Sequence, residues 1–381
     1  MAIYDISPTW QTEVKNKARG AIPTCDNSSI SNDLVAWNQI KTLLEKSQNN
    51  GTAFSNPIVS TYNLVYSTTS LQSYYYGGVV APNGDIHFVP RSAAVGQKID
   101  INGIVSTYSL VRTALTGAYS GGVLASNGDI HFVPFSGRVG QKVSTSGVVS
   151  TYSLVYSSFQ GYGGVLAPNG DIHFINYNSA VGVNHKISSS GVVSTYSLVY
   201  TVPSGYWGGV LAPNGDIHMV PYSTSVGQKI NSSGVVSTYS LIYTTTAAYA
   251  GGVLSPNGDI HFVPRSASVG QKISSAGVVS TYSLIYTTTA AYAGGVLSPN
   301  GDIHFVSYQA AVGQKISSAG VVSTYSLIYT TAGSGGAFNG GVLAPNGDIH
   351  CIGTVVIQKI STLPAKPLNI GLCCSPFLNK F

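Results

Sequence analysis

From residue 57 onward the chain sets short apolar runs against polar breaks and never sustains a helical period. Val, Ile, Leu, Tyr and Thr cluster into brief runs, and Gly, Asn, Ser and Pro interrupt them. Runs of that kind, bounded by turn residues, read as β-strands. The pattern then recurs. Asn-Gly-Asp-Ile-His occurs seven times, with aspartates at Asp85, Asp129, Asp171, Asp216, Asp259, Asp302 and Asp348, spaced 44, 42, 45, 43, 43 and 46 residues apart. Such a period marks an array of supersecondary units. Asn-Gly between two apolar runs is a strong hairpin signal. In the fifth unit the runs predict strands A (251–254), B (259–263), C (269–274) and D (278–286).

Four strands per unit make a propeller blade. The prediction is an all-β, seven-bladed β-propeller over 57–361. Its ends support closure of the ring. The first Ser-Thr-Tyr run, at 60–62, precedes the first Asn-Gly-Asp, and the last C strand, at 355–360, has no D run after it. Residues 57–66 are therefore expected to supply the outer strand of the last blade, removing the open edges of a linear array.

Residues 1–56 differ in pattern. Ser7 and Pro8 open an expected helix ending near Gly20. A second is expected from 31–33 to about Lys46, with Leu34, Trp37, Ile40, Leu43 and Leu44 at helical spacing. Two such helices make no core of their own, so this segment reads as a docking element. Residues 362–381 read as an extended arm.

The repeat Gly-Gly-Val-Leu-Ala-Pro-Asn-Gly-Asp-Ile-His-Phe-Val-Pro resembles the blades of NHL-repeat and gluconolactonase-type propellers and, more loosely, lectin propellers such as the tachylectins. The resemblance implies the architecture. Gluconolactonase-type enzymes carry metal-binding carboxylates around the channel, whereas the A strands here read Gly-Gly-Val-Leu and carry none.

Charge adds little. Only 8% of residues are charged and the net charge is +5, without a basic run, so a nucleic-acid partner is not expected. The start of the chain lacks a signal-peptide pattern, and no apolar run is long enough to insert in a membrane. Cys25, Cys351, Cys373 and Cys374 show neither metal-ligand nor disulfide-framework spacing. No catalytic, metal or cofactor motif is found, and Asp100 is the one carboxylate of 57–361 outside the turns. His87, His131, His173, His218, His261, His304 and His350 stand two residues after the turn aspartates. A side chain present in every blade reads as architectural: the histidine as a buried spacer, the aspartate as a turn cap.

The differences between blades lie in the B–C and D–A loops, which a four-strand meander puts on one face. These loops are aromatic, with Tyr74, Tyr75, Tyr119, Phe135, Phe159, Tyr162, Tyr206, Tyr249, Tyr292 and Phe338 among them. The ligand-binding candidates are Trp207, Tyr222, Arg265, Arg91, Tyr177, Tyr308 and Tyr76, because Tyr, Trp and Arg give rigid contact area with polar tips. Residues 244–266 and 287–308 are nearly identical, a duplication that suits multivalent display. The expectation is a non-enzymatic propeller. Its most concrete form is a virion or phage appendage or surface protein that presents aromatic loops to a glycan or receptor and meets other virion or surface proteins through 1–56 and 362–381. An intracellular protein-interaction propeller and a lactonase- or hydrolase-type enzyme are the alternatives.

Overall fold

Each residue of the Asn-Gly-Asp segment has its own part in the turn. In the fifth unit the Asn257 side chain accepts the Asp259 N–H at 3.1 Å, and the Gly258 N–H closes on the Ser255 carbonyl at 2.9 Å. Gly258 takes φ +87°, a left-handed backbone that any side chain would disfavour. The flanking strands are thereby held antiparallel.

The computed structural model describes residues 57–362, apart from 67–73, 114–115, 137, 331–335 and 354–355. The helices expected within 1–56 and the arm expected beyond Thr362 lie outside the described residues. The chain divides into two units between Asn56 and Pro57, and every described residue belongs to the second.

Seven four-stranded antiparallel sheets form a closed seven-bladed propeller. In the fifth blade the strands are A Tyr249–Leu254, B Ile260–Pro264, C Val269–Ile273 and D Val279–Ser283. Strand D stops three residues short of the predicted end at Tyr286, and the cause lies in the next blade. Buried Gln314, on strand C of the sixth blade, accepts the N–H groups of Ile285 at 3.0 Å and Tyr286 at 2.8 Å. The chain is drawn out of its own sheet onto the neighbour. Gln97, Gln141, Gln228, Gln271 and Gln358 do the same elsewhere in the ring. In the third blade His185 takes the role, its Nε2 accepting the Tyr156 N–H at 3.0 Å.

The last sheet combines A Phe338–Leu343, B Asp348–Gly353 and C Val356–Ser361 with the N-terminal strand Ile58–Asn63. Ser60 pairs with Lys359 and Tyr62 with Ile357. The core lies between blades. Val342 and Ile352 of the seventh pack with Tyr75, Ile86 and Phe88 of the first, so the hydrophobic layer continues across the closure. B strands are buried throughout, whereas D strands alternate between half-buried and exposed.

Candidate functional site

The repeated His are buried inside the blades, each against a tyrosine ring, and the repeated Asp are held in ion pairs. His87 and His304 each meet a strand-D tyrosine, Tyr108 or Tyr325, with Nδ1 3.2 Å from the hydroxyl. His350 meets Tyr62 of the closing strand in the same way. That tyrosine explains the glycine of Val-Gly-Gln-Lys: a Cβ on Gly96 would lie 2.2 Å from the Tyr108 ring. Burial lowers the pKa of all seven repeat histidines to about 4, leaving them neutral. Each turn aspartate pairs with the strand-C lysine of its blade, as Asp85 does with Lys98 at 2.6 Å and Asp259 with Lys272 at 2.7 Å. Burial opposes ionisation of Asp259, but Lys272 and the Ser275 N–H outweigh it and hold its pKa below the ordinary value. The asparagine, rather than the aspartate, caps the tight turn. We expect His304→Ala to lower stability by about 1–3 kcal/mol, because Tyr325 loses its buried partner. Urea unfolding measures this.

The loop aromatics separate into two populations. Tyr75, Tyr119, Tyr206, Tyr249, Tyr292 and Phe338 are fully buried in the core. Tyr75, Tyr206 and Tyr249 donate to strand-C carbonyls of their own blades. The next residue along each A strand faces the channel, because alternate strand residues point to opposite sides. These second positions are Tyr76, Ser120, Tyr162, Trp207, Ala250, Ala293 and Asn339. With the glycine pair that follows each, they line a central cavity of about 220 Å³. The glycines let the A strands crowd together: a Cβ on Gly340 would lie 2.9 Å from the Gly77 Cα. A second set follows strand B at the same end of the channel: Arg91, Phe135, Tyr177, Tyr222, Arg265 and Tyr308.

All seven ligand-binding candidates fall in these two sets, and they form one contact network. Tyr162 stacks on Trp207 with ring centroids 3.8 Å apart, and Trp207 lies 4.6 Å from Tyr222. Tyr177 touches Tyr162, Trp207 and Tyr222 by ring edges. Tyr76 lies 5.9 Å from Tyr162. The Arg91 guanidinium sits over Tyr76 at 4.9 Å and over Phe135 at 5.0 Å. Arg265 sits over Tyr308 at 4.4 Å and over Trp207 at 5.2 Å. Burial raises the pKa of Tyr162 and of Tyr222, and nearby guanidinium charge only partly offsets it, so both stay protonated.

Two members of the network, Tyr162 and Phe135, are loop aromatics outside the seven candidates. Tyr162 is the centre of the network, and Phe135 edges it at 4.9 Å. The signal was present, since Tyr162 stands directly before Gly-Gly in register with Tyr76 and Trp207. The network is also lopsided. At the A-strand positions large rings come from the first, third and fourth blades, whereas the near-duplicate fifth and sixth place Ala250 and Ala293 there and reach the mouth through Arg265 and Tyr308.

Fold and mouth together define a closed seven-bladed propeller with a cluster of unlike aromatic and arginine side chains capping the channel. No protein-family model and no curated protein matches the chain. Solved structures do. A streptogramin B lyase is 20% identical, with a TM-score of 0.68 over 81% of this chain and 99% of its own. A catalytically inactive virginiamycin B lyase from Staphylococcus aureus with quinupristin is 18% identical, with a TM-score of 0.66 over 80% and 99%. The WD40 propeller domain of Doa1 is 12% identical, with a TM-score of 0.60 over 80% and 97%. At these identities the likeness shows the fold, and the family resemblance holds at the level of a seven-bladed propeller.

These findings overturn the expected function. The propellers that match over nearly their full length include streptogramin B and virginiamycin B lyases, and none of those reported points to a phage or virion. Geometry agrees, because the aromatics do not project from seven loops toward a glycan or receptor. They pack ring on ring over one opening. The reading as a non-enzymatic display appendage, with its virion setting, is withdrawn. Among the described residues no helix is long and apolar enough to cross a membrane.

Proposed function

We propose that the propeller takes up one small, ring-bearing molecule at the channel mouth. The observation that carries this is the aromatic arc centred on Tyr162 and Trp207 at the mouth of the central cavity of about 220 Å³. Aromatic side chains on a rigid scaffold offer a flat ring a preformed stacking surface. The quinupristin-bearing lyase, which shares the fold, supports a small-molecule ligand. Turnover is the second reading, favoured by one contact. The Arg91 Nη2 lies 3.5 Å from the Tyr162 hydroxyl, so a cation stands beside the group best placed to move a proton.

Quenching of Trp207 fluorescence, referenced to Trp207→Phe, tests binding against quinupristin and a set of bicyclic aromatics. One ligand per chain, and an affinity at least about ten-fold weaker in Tyr162→Ala, are the expected results. Binding of several copies per chain, or none, would refute the reading. Mass spectrometry of the same mixtures reports turnover, which Tyr162→Phe should abolish while sparing affinity.

A further inference from the structure

We propose that the channel mouth selects an anionic ligand, whose carboxylate, sulfonate or phosphate group sits between Arg91 and Arg265. The proposal rests on the small-molecule reading above but stands on separate observations. The two guanidiniums come from the first and fifth blades and reach the mouth from different directions. Both lie against aromatic rings, Arg91 on Tyr76 and Phe135, Arg265 on Tyr308 and Trp207. In each, Nη1 is buried and has no hydrogen-bond partner. Each guanidinium also meets a tyrosine hydroxyl, Tyr162 for Arg91 and Tyr222 for Arg265. The positive potentials of both arginines converge on the hydroxyls of Tyr76 and Tyr162.

Nothing described in this propeller neutralises that pair. The seven turn aspartates are bound to lysines at the opposite end of the blades. Asp100 caps a C–D turn, where it accepts the N–H groups of Asn102 and Ile104. A half-buried cation whose inner nitrogen lacks a hydrogen-bond partner is held at a cost. Arginine is also the side chain whose planar fork fits a carboxylate or phosphate through two hydrogen bonds. Cation–π contact holds each guanidinium in place without consuming its donors. A ligand with a flat ring against Trp207 and an oxyanion toward the arginines would use both halves of the mouth.

The test compares 2-naphthoate with 2-naphthalenemethanol, which share the ring and differ in charge, by calorimetry on the full chain. Inorganic phosphate alone is added as a third probe, read by its effect on melting temperature. Wild-type protein should bind the acid about ten- to a hundred-fold more tightly than the alcohol. Arg91→Met/Arg265→Met, which keeps the apolar stems over the rings, should lose that preference. Phosphate should raise the melting temperature of wild type but not of the double variant. Equal affinity for acid and alcohol in wild type overturns the anion site and leaves the ring site standing. Phosphate binding through the arginines, with neither ring compound bound, does the reverse. Failure of all three probes overturns both.

Discussion

Acidification from pH 6.5 toward pH 4 is expected to unfold the propeller. His185 and the seven repeat histidines are buried, and burial lowers each pKa from 6.5 to about 4. The unfolded chain therefore takes up protons near pH 6.5, whereas the native chain resists them until about pH 4. In that window the unfolded state binds more protons, so stability rises with pH and falls on acidification. At about 1.4 kcal/mol for each tenfold change in proton affinity, one such histidine is worth on the order of 3 kcal/mol. A domain of this kind is stable by only about 5–15 kcal/mol, so a few of the eight suffice. Asp129, Asp171, Asp259 and Asp348 do not offset this, because their lysine and hydrogen-bond partners hold their pKa values below the ordinary carboxylate value and keep them ionised across the window. Melting temperature followed across the range should drop steeply below pH 6.5. A flat profile down to pH 4 would show that the histidines are not buried as described.

Removing residues 1–66 should collapse the fold, whereas removing 1–56 should leave melting unchanged. The difference is the strand Ile58–Asn63 and the three residues after it. Their loss unpairs Val356–Ser361 along its outer edge, strips Tyr62 from His350 and takes buried Leu64 from the first blade's core. It also leaves Gln97 without the Tyr66 N–H that it accepts at 2.8 Å. Leu64 alone is worth about 1.5–3 kcal/mol of burial. With the backbone pairs, the total is on the order of 5 kcal/mol or more. Moving residues 57–66 to follow Thr362 should restore the melting temperature, because the same strand then arrives from the other side. Equal melting of the two truncations would refute closure by the N-terminal strand.

Much of this fold was legible because its determinants are local. Asn257 and Gly258 make their turn with residues close in sequence, and the offset between the first D run and the last C run announced the closure. The inter-blade glutamines were not legible. Gln271 stands at a constant place in the repeat, yet the groups it binds, Ile242 and Tyr243, belong to the preceding blade. For the site, residue types were readable and convergence was not. Tyr75 and Tyr76 look alike in sequence, but strand alternation sends one into the core and the other into the channel. Tyr162 reads in sequence as one loop aromatic among many, because its importance lies in rings contributed by other blades.

The closing strand has a consequence for how the protein is made. Ser60 leaves the ribosome long before its partner Lys359. Six sheets can form in the order of their synthesis, each from one continuous stretch of chain. The seventh must wait. Throughout translation the Ile58–Asn63 strand carries an unpaired edge whose sequence matches the outer strands of six other blades. A nascent chain nearby offers the same strand and the same vacancy. Exchange between neighbouring nascent chains on one messenger is thus the characteristic misassembly open to this ring.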